Sequence, residues 1–164
     1  MALDVGDPVP AIRLPSSSGK DLALTDFKGK KLVLYFYPKD DTPGCTTEAC
    51  DFRDNLKNYE NANTVIVGIS KDPLKSHDKF IEKYGLPFEL LADEKGELLD
   101  AFGVWKPKSM YGKTFMGVER GTFLIDETGK IVKSWRKVSV PGHVAEVLDA
   151  LTKVTVTLEP EKTL

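Results

Sequence analysis

The chain has 164 residues, 41% of them hydrophobic and 29% charged, with a formal net charge of −2. That mix describes one globular domain long enough to bury a core and excludes a disordered chain. The charge lacks the basic excess of a nucleic-acid binder, and no apolar run approaches the roughly 18 residues that cross a membrane.

The N-terminus, MALDVGDPVPAIRL, has neither a basic n-region nor a continuous apolar h-region. It predicts no signal peptide and a cytoplasmic location, where a persistent structural disulfide is disfavoured. No internal repeat or low-complexity segment is visible. SSSGK (Ser16 to Lys20) predicts a turn between two short strands, an N-terminal hairpin. The run from Lys31 to Pro38 predicts a buried strand stopped by proline, and Pro43 to about Glu60 a helix. Asn63 to Ser70 is a second continuous apolar strand, as expected where helices cover both faces of a sheet.

Next comes a helix with Asp72 as N-cap, Pro73 at the first helical position and Gly85 at its exit. FELLAD is a short strand, and a helix follows over roughly Glu94 to Phe102. Trp105 to Gly117, rich in Lys and Gly, is predicted to be a loop. Gly121–Asp126 and Ile131–Trp135 form a hairpin around ETGK. An amphipathic helix then carries Val144, Val147, Leu148 and Leu151 on one face. The whole chain, 1–164, reads as one domain, with residues from about 154 to 164 as a loosely held tail. The order implies an α/β fold: a central mixed β-sheet flanked by helices, with the thioredoxin-like fold as its candidate.

Both cysteines, Cys45 and Cys50, lie in YFYPKDDTPGCTTEACDFRD, where the first long strand gives way to a helix. Open α/β sheets commonly place their chemistry at such a junction. Thr42 is the expected N-cap, which puts Pro43, Gly44 and Cys45 in the first helical turn. Unpaired N–H groups and the helix dipole stabilise a thiolate there. Asp40 and Asp41 oppose it if close, so a cation is required; Lys39 is local, and an arginine from elsewhere would serve better.

Cys50 lies five residues further on. In an ideal helix the two Cα atoms would be roughly 8–9 Å apart, beyond the ~7 Å that a disulfide spans without backbone movement. Bonding them requires the first turns to unwind, which makes a switch rather than a staple. A metal site finds too few ligands, since the two histidines, His77 and His143, are far off in sequence and zinc-like spacing is absent. His77 is read as structural or exposed, and His143 similarly. Glu48 is read as a solvated helix carboxylate or capping partner with a supporting role, and Phe102 and Trp105 as packing or rim residues.

The pattern Pro38-x-x-x-Thr42-x-x-Cys45 resembles the active-site signature of the peroxiredoxins. The fuller string FYPKDDTPGCTTEACDFRD resembles their Q-type branch, the bacterioferritin-comigratory proteins. The likeness extends through GDPVPAIRLPSSSGK, SKDPLKSHDKFIEKYGLPFELLAD, FGVW and RGTFLIDETGKI. It implies a thiol peroxidase that reduces hydrogen peroxide and organic hydroperoxides without a cofactor. Cys45 would match the peroxidatic cysteine and pass through a sulfenic acid. Cys50 would match the resolving cysteine, forming an intramolecular disulfide that thioredoxin or a similar dithiol reduces. Thr42 would match the threonine that hydrogen-bonds thiolate and peroxide, Pro38 the proline that shields the thiolate, and Arg120 the distant arginine. The branch is often monomeric, and a monomer is expected. Two other readings of the scaffold stand beside this one: a redox-sensing binding module, and a dithiol–disulfide oxidoreductase, against which the C-x4-C spacing speaks.

Overall fold

The computed structural model describes residues 2–151, so the expected tail over residues 154–164 lies outside the described residues. A short hairpin opens the fold: β1 (Arg13–Pro15) pairs antiparallel with β2 (Asp21–Ala23). The central sheet takes β3 (Lys31–Phe36), β4 (Thr64–Ser70) and β5 (Glu89–Ala92) in parallel. It is completed by β8 (Gly121–Ile125) and β9 (Ile131–Trp135), which run antiparallel, in the order β5-β4-β3-β8-β9. β3 is therefore central, and all six of its residues are buried. This is the mixed α/β sheet that the sequence predicts.

Alternation along β3 divides the core in two. Leu32, Leu34 and Phe36 face one side, packing on Phe102, Phe123 and the short helix α4 (Glu97–Ala101). Val33, Tyr35 and Tyr37 face the other, against α1 (Pro43–Asp54), α2 (Leu56–Asn61), α3 (Leu74–Tyr84) and α5 (residues 143–151). Val144, Val147 and Leu151 of α5 are buried, as their helical spacing predicts.

Four expectations need correcting. The single helix from Pro43 breaks at Asn55, whose side-chain amide donates to the Asp51 carbonyl; such a local bond competes with helix propagation. α3 starts one residue later than expected, with Pro73 as N-cap. Asp72 does not cap it, because its carboxylate is taken by Ser70 Oγ and the Asp40 N–H. α4 begins only at Glu97, after Gly96 adopts a left-handed conformation with φ 76°. The Lys- and Gly-rich stretch is not a loop but a second hairpin, β6 (Trp105–Met110) with β7 (Lys113–Val118). Its tight turn places Tyr111 and Gly112 at φ 53° and 76°. Tyrosine is a poor signal for that geometry, and most of the hairpin's side chains face solvent, so no apolar alternation announces it.

Gly68 sits opposite Tyr35 in the β3–β4 ladder. A Cβ there would stand 2.7 Å from Leu90 Cδ2 and 2.8 Å from Tyr35 Cζ. Glycine makes room for the phenol beneath α1. Gly68→Ala is expected to destabilise the fold by about 1–3 kcal/mol through overpacking. Urea unfolding would check it; an unchanged midpoint would show that Tyr35 and Leu90 move aside freely.

Candidate active site

β3 ends at Phe36, and α1 begins with Pro43 after a six-residue connection. Thr42 is the N-cap with extended backbone, and its carbonyl accepts the first intrahelical bond from the Thr46 N–H at 2.8 Å. Its hydroxyl does not cap the helix; it donates instead to the Lys39 carbonyl at 2.9 Å. Pro38 lies half-buried in the same loop. The N–H groups of Gly44 and Cys45 belong to the first turn, which has no intrahelical acceptors.

Cys45 is buried, only 2% exposed, and faces the core together with Glu48, Ala49 and Phe52. Arg120 stands just before β8, the strand that pairs with β3. Its Nη2 donates to Cys45 Sγ at 3.2 Å, and its Nη1 donates to Glu48 Oε1 at 2.6 Å. The guanidinium thus spans one helical turn of α1. Gly44 permits this approach, since a Cβ at that position would stand 3.3 Å from Nη2.

Glu48 corrects its sequence reading. It is not solvated but fully buried, and it is the carboxylate partner of Arg120. Burial pushes its carboxyl up to about 7, against the pull of Arg120 in the other direction. The signal was present in the sequence: Glu48 follows Cys45 by three residues, and residues so spaced share a helix face. Beneath them lies Tyr35, stacked on Phe52 with ring centroids 4.7 Å apart. Burial raises the Tyr35 hydroxyl far above its usual range, and the nearby charges of Glu48 and Cys45 add to this. Tyr35 Oη and Glu48 Oε2 are both buried without a hydrogen-bond partner among the described residues.

The two aspartates do not confront the thiol. Asp41 accepts from Lys83 Nζ at 2.8 Å and Tyr84 Oη at 2.7 Å, bonds that hold its carboxyl below the usual range. Asp40 turns inward to Tyr37, Ser76 and His77. His77 is fully buried, and so is structural rather than exposed; His143 is buried too, its Nε2 2.7 Å from Thr122 Oγ1. Phe102 packs in the core with Phe36 and Phe123, away from any rim. Cys50 is half-buried on α1, and both thiols are free. Because the two share one continuous helix, they are held apart by its geometry. Chemically, the site offers a sulfur nucleophile beside a fixed cation and unused N–H donors, and a second thiol that only backbone movement brings within reach.

A sequence model described as the AhpC/TSA family matches residues 5–134. Peroxiredoxin Bcp of Bacillus subtilis is 52% identical over 151 residues, covering 92% of this chain and 96% of that protein. The putative peroxiredoxin bcp of Coxiella burnetii is also 52% identical, over 92% of this chain and all of its own length. Among solved structures, peroxiredoxin Q of Xanthomonas campestris superimposes with a TM-score of 0.87 at 44% identity, covering 92% of this chain and 98% of that one. A mutant PrxQ of Xylella fastidiosa gives 0.89 at 42% identity, covering 93% and 98%. The match runs through the helix start that bears Cys45 and through Arg120, and so the chain belongs to the AhpC/TSA family as a Bcp or Q-type peroxiredoxin, a thiol peroxidase on a thioredoxin-like fold.

Proposed function

We propose that Cys45 is the peroxidatic cysteine of this peroxidase and that Cys50 resolves it. The observation that carries the reading is the 3.2 Å contact from Arg120 Nη2 to Cys45 Sγ at the first turn of α1. The Cys45 thiolate attacks one peroxide oxygen. The O–O bond breaks, an S–OH bond forms, and the departing alkoxide or hydroxide takes up a proton. Charge develops on the leaving oxygen, and donors fixed in advance stabilise it best. Arg120 and the N–H groups of Gly44 and Cys45 are those donors. Thr42 orients the peroxide, its hydroxyl turning from the Lys39 carbonyl to do so, and Pro38 screens the sulfur from water.

The first turns of α1 then unwind, the Cys50 thiolate attacks the sulfenic sulfur, the S–O bond breaks, and the departing hydroxide takes up a proton to leave a disulfide and water. Thioredoxin or a similar dithiol returns the pair to thiols by exchange. Hydrogen peroxide and organic hydroperoxides are the substrates. The latter are supported by the similar bacterioferritin comigratory protein of Xanthomonas campestris, studied for its alkyl peroxide reduction activity. The protein acts as a single-domain monomer in the cytoplasm. No described helix is long and apolar enough to cross a membrane.

The first test is peroxide titration followed by intact mass and a nonreducing peptide map. Wild type is expected to lose two hydrogens in a Cys45–Cys50 link that a dithiol reverses. Cys50→Ser should stop at the sulfenic acid or form intermolecular disulfides; normal cycling of that variant would remove Cys50 from the resolving role.

Arg120→Lys keeps the charge but loses the planar fork. Oxidation of Cys45 is expected to slow by about 10²-fold, the loss typical of one transition-state donor. Rapid quench with mass detection would measure it, and a rate within twofold of wild type would count against the arginine.

Glu48 sets a pH dependence of stability. Its buried carboxyl titrates near 7 rather than at 4.5, so the stability present below pH 4.5 is lost as pH rises through about 7. Glu48→Gln lacks this group. The stability of the variant relative to wild type should therefore rise between pH 4.5 and about 7 and level off above. Thermal melts across that window would show it, and a constant difference would mean that Glu48 is not held in this burial.

A further inference from the structure

The loop between β3 and α1 is tied down by a closed set of polar side chains that the peroxide chemistry does not use. Asp40 and His77 are its centre, their side chains 3% and 0% exposed. His77 Nε2 lies 2.9 Å from the Leu91 carbonyl, which can only accept, so Nε2 bears a hydrogen. His77 Nδ1 lies 2.7 Å from Asp40 Oδ2, so one proton is shared between these two atoms and the pair as a unit carries no net charge. Ser76 Oγ donates to the same Asp40 oxygen at 2.8 Å, and Tyr37 Oη to the other. The Asp40 N–H donates to Asp72 Oδ2 at 2.7 Å, and Ser70 Oγ donates to that oxygen too. Asp40, Asp72 and His77 bring ligand-type atoms within 4.8 Å of one another, but the facing atoms are already closed by hydrogen bonds, as befits a latch rather than a cation site.

The latch joins the loop to three separate elements. Ser76 and His77 belong to α3, Leu91 to β5, and Ser70 ends β4. Five residues after Asp40 comes Cys45. Between them, Asp41 is held at φ 58°, a left-handed conformation. Contacts hold this residue from both directions. Asp40 fixes one side, and Lys83 and Tyr84 hold the Asp41 carboxylate itself.

We propose that Asp40 and His77 are positioning residues for the peroxidatic thiol: a latch that holds the start of α1 wound. The latch favours the state that meets peroxide over the unwound state that forms the Cys45–Cys50 bond. This rests on the reading of Cys45 and Cys50 given above. His77 touches neither sulfur and acts through Asp40 on the loop. The consequence is a pair of opposite signs. Loosening the latch slows the attack on peroxide, which needs the fixed helix start, and speeds disulfide formation, which needs that start to open. A residue that only supported the core would slow both steps or leave both alone.

The test uses the full chain, hydrogen peroxide, rapid quench and intact mass, which separates oxygen gain at Cys45 from the later loss that marks the disulfide. His77→Gln can keep the donor to Leu91 but drops the partner of Asp40. Its oxygen gain is expected to slow by about tenfold, equivalent to one hydrogen bond to a charged group, while its disulfide step accelerates. His77→Asn can keep a donor to Asp40 and should restore both rates towards wild type. Ser76→Ala, a milder change at a half-buried site, should move both rates in the His77→Gln directions by smaller factors, and it carries the test should His77→Gln not fold. Both steps slowing together, or neither changing, in a variant that melts like wild type overturns the latch. If the wild-type chain gains oxygen at Cys45 but forms no link to Cys50, the resolving role of Cys50 is what fails. The latch is then judged on oxygen gain alone, and an unchanged rate in His77→Gln rejects it.

Discussion

One guanidinium holds the site together. Arg120 comes from the start of an antiparallel strand, while Cys45 and Glu48 come from the helix that follows a different one. The central sheet brings the two together, because β3 pairs with β8 and places Phe36 opposite Gly121. The carboxyl end of β3, which feeds α1, thus lies beside the amino end of β8, which follows Arg120. Much of the remaining local structure serves that contact. Gly44 leaves space for the guanidinium, Tyr35 fills the floor, and Gly68 gives up a side chain so that Tyr35 fits. A buried carboxylate without Arg120 would be a lone charge in an apolar core, and breaking such a pair typically costs 3–5 kcal/mol.

The site departs from an ideal core in a specific way. Buried polar groups are normally hydrogen-bonded, yet Tyr35 Oη and Glu48 Oε2 are not bonded to any described residue. Both lie under the first turns of α1, on the face that carries the thiol. Well-satisfied networks are found elsewhere, as at Asp40 and His77. Asp93 Oδ1 and Glu119 Oε2 are likewise buried without a hydrogen-bond partner among the described residues, so incomplete satisfaction is not confined to this helix.

How much of this was legible in the sequence depends on distance along the chain. The parallel strands, the closing helix and the Thr42–Pro43–Gly44–Cys45 helix start follow from local apolar runs and capping residues. Arg120 is legible only through the family resemblance, because nothing local links a residue 75 positions away to Cys45. Glu48 was underestimated because a Glu in a helix is usually solvated, and only the guanidinium opposite it permits burial. The destinations of Asp40 and Asp41 are likewise set by distant residues that the local sequence does not show. Their closeness to Cys45 in sequence leaves repulsion of the thiolate open, while their neighbours in space, Tyr37, Ser76, His77, Lys83 and Tyr84, satisfy them. Asp72 lost its cap role to a backbone N–H that arrives from another loop. The β6–β7 hairpin leaves little trace in the sequence because exposed strands carry little apolar alternation.

The two steps of the cycle make opposite demands on α1. In the cycle proposed above, attack on peroxide needs the helix wound, with Cys45 under the guanidinium, and the bond to Cys50 needs it open. Oxidation itself alters the balance. The thiolate is an anionic acceptor for Arg120 Nη2, whereas the sulfenic acid is uncharged, and hydrogen bonds to charged partners are roughly twice as strong as neutral ones. Once oxygen has been transferred, Arg120 is left with Glu48 as its only charged partner among the described residues, on a carboxyl that burial already disfavours as an anion. The helix start is then held chiefly by its loop, through Asp40, His77 and the Asp41 contacts. Chemistry at the sulfur thus weakens the grip from the β8 side and leaves the grip from the α3 side intact. In the proposed cycle that asymmetry directs unwinding to the turns after Thr42, the segment that separates Cys45 from Cys50.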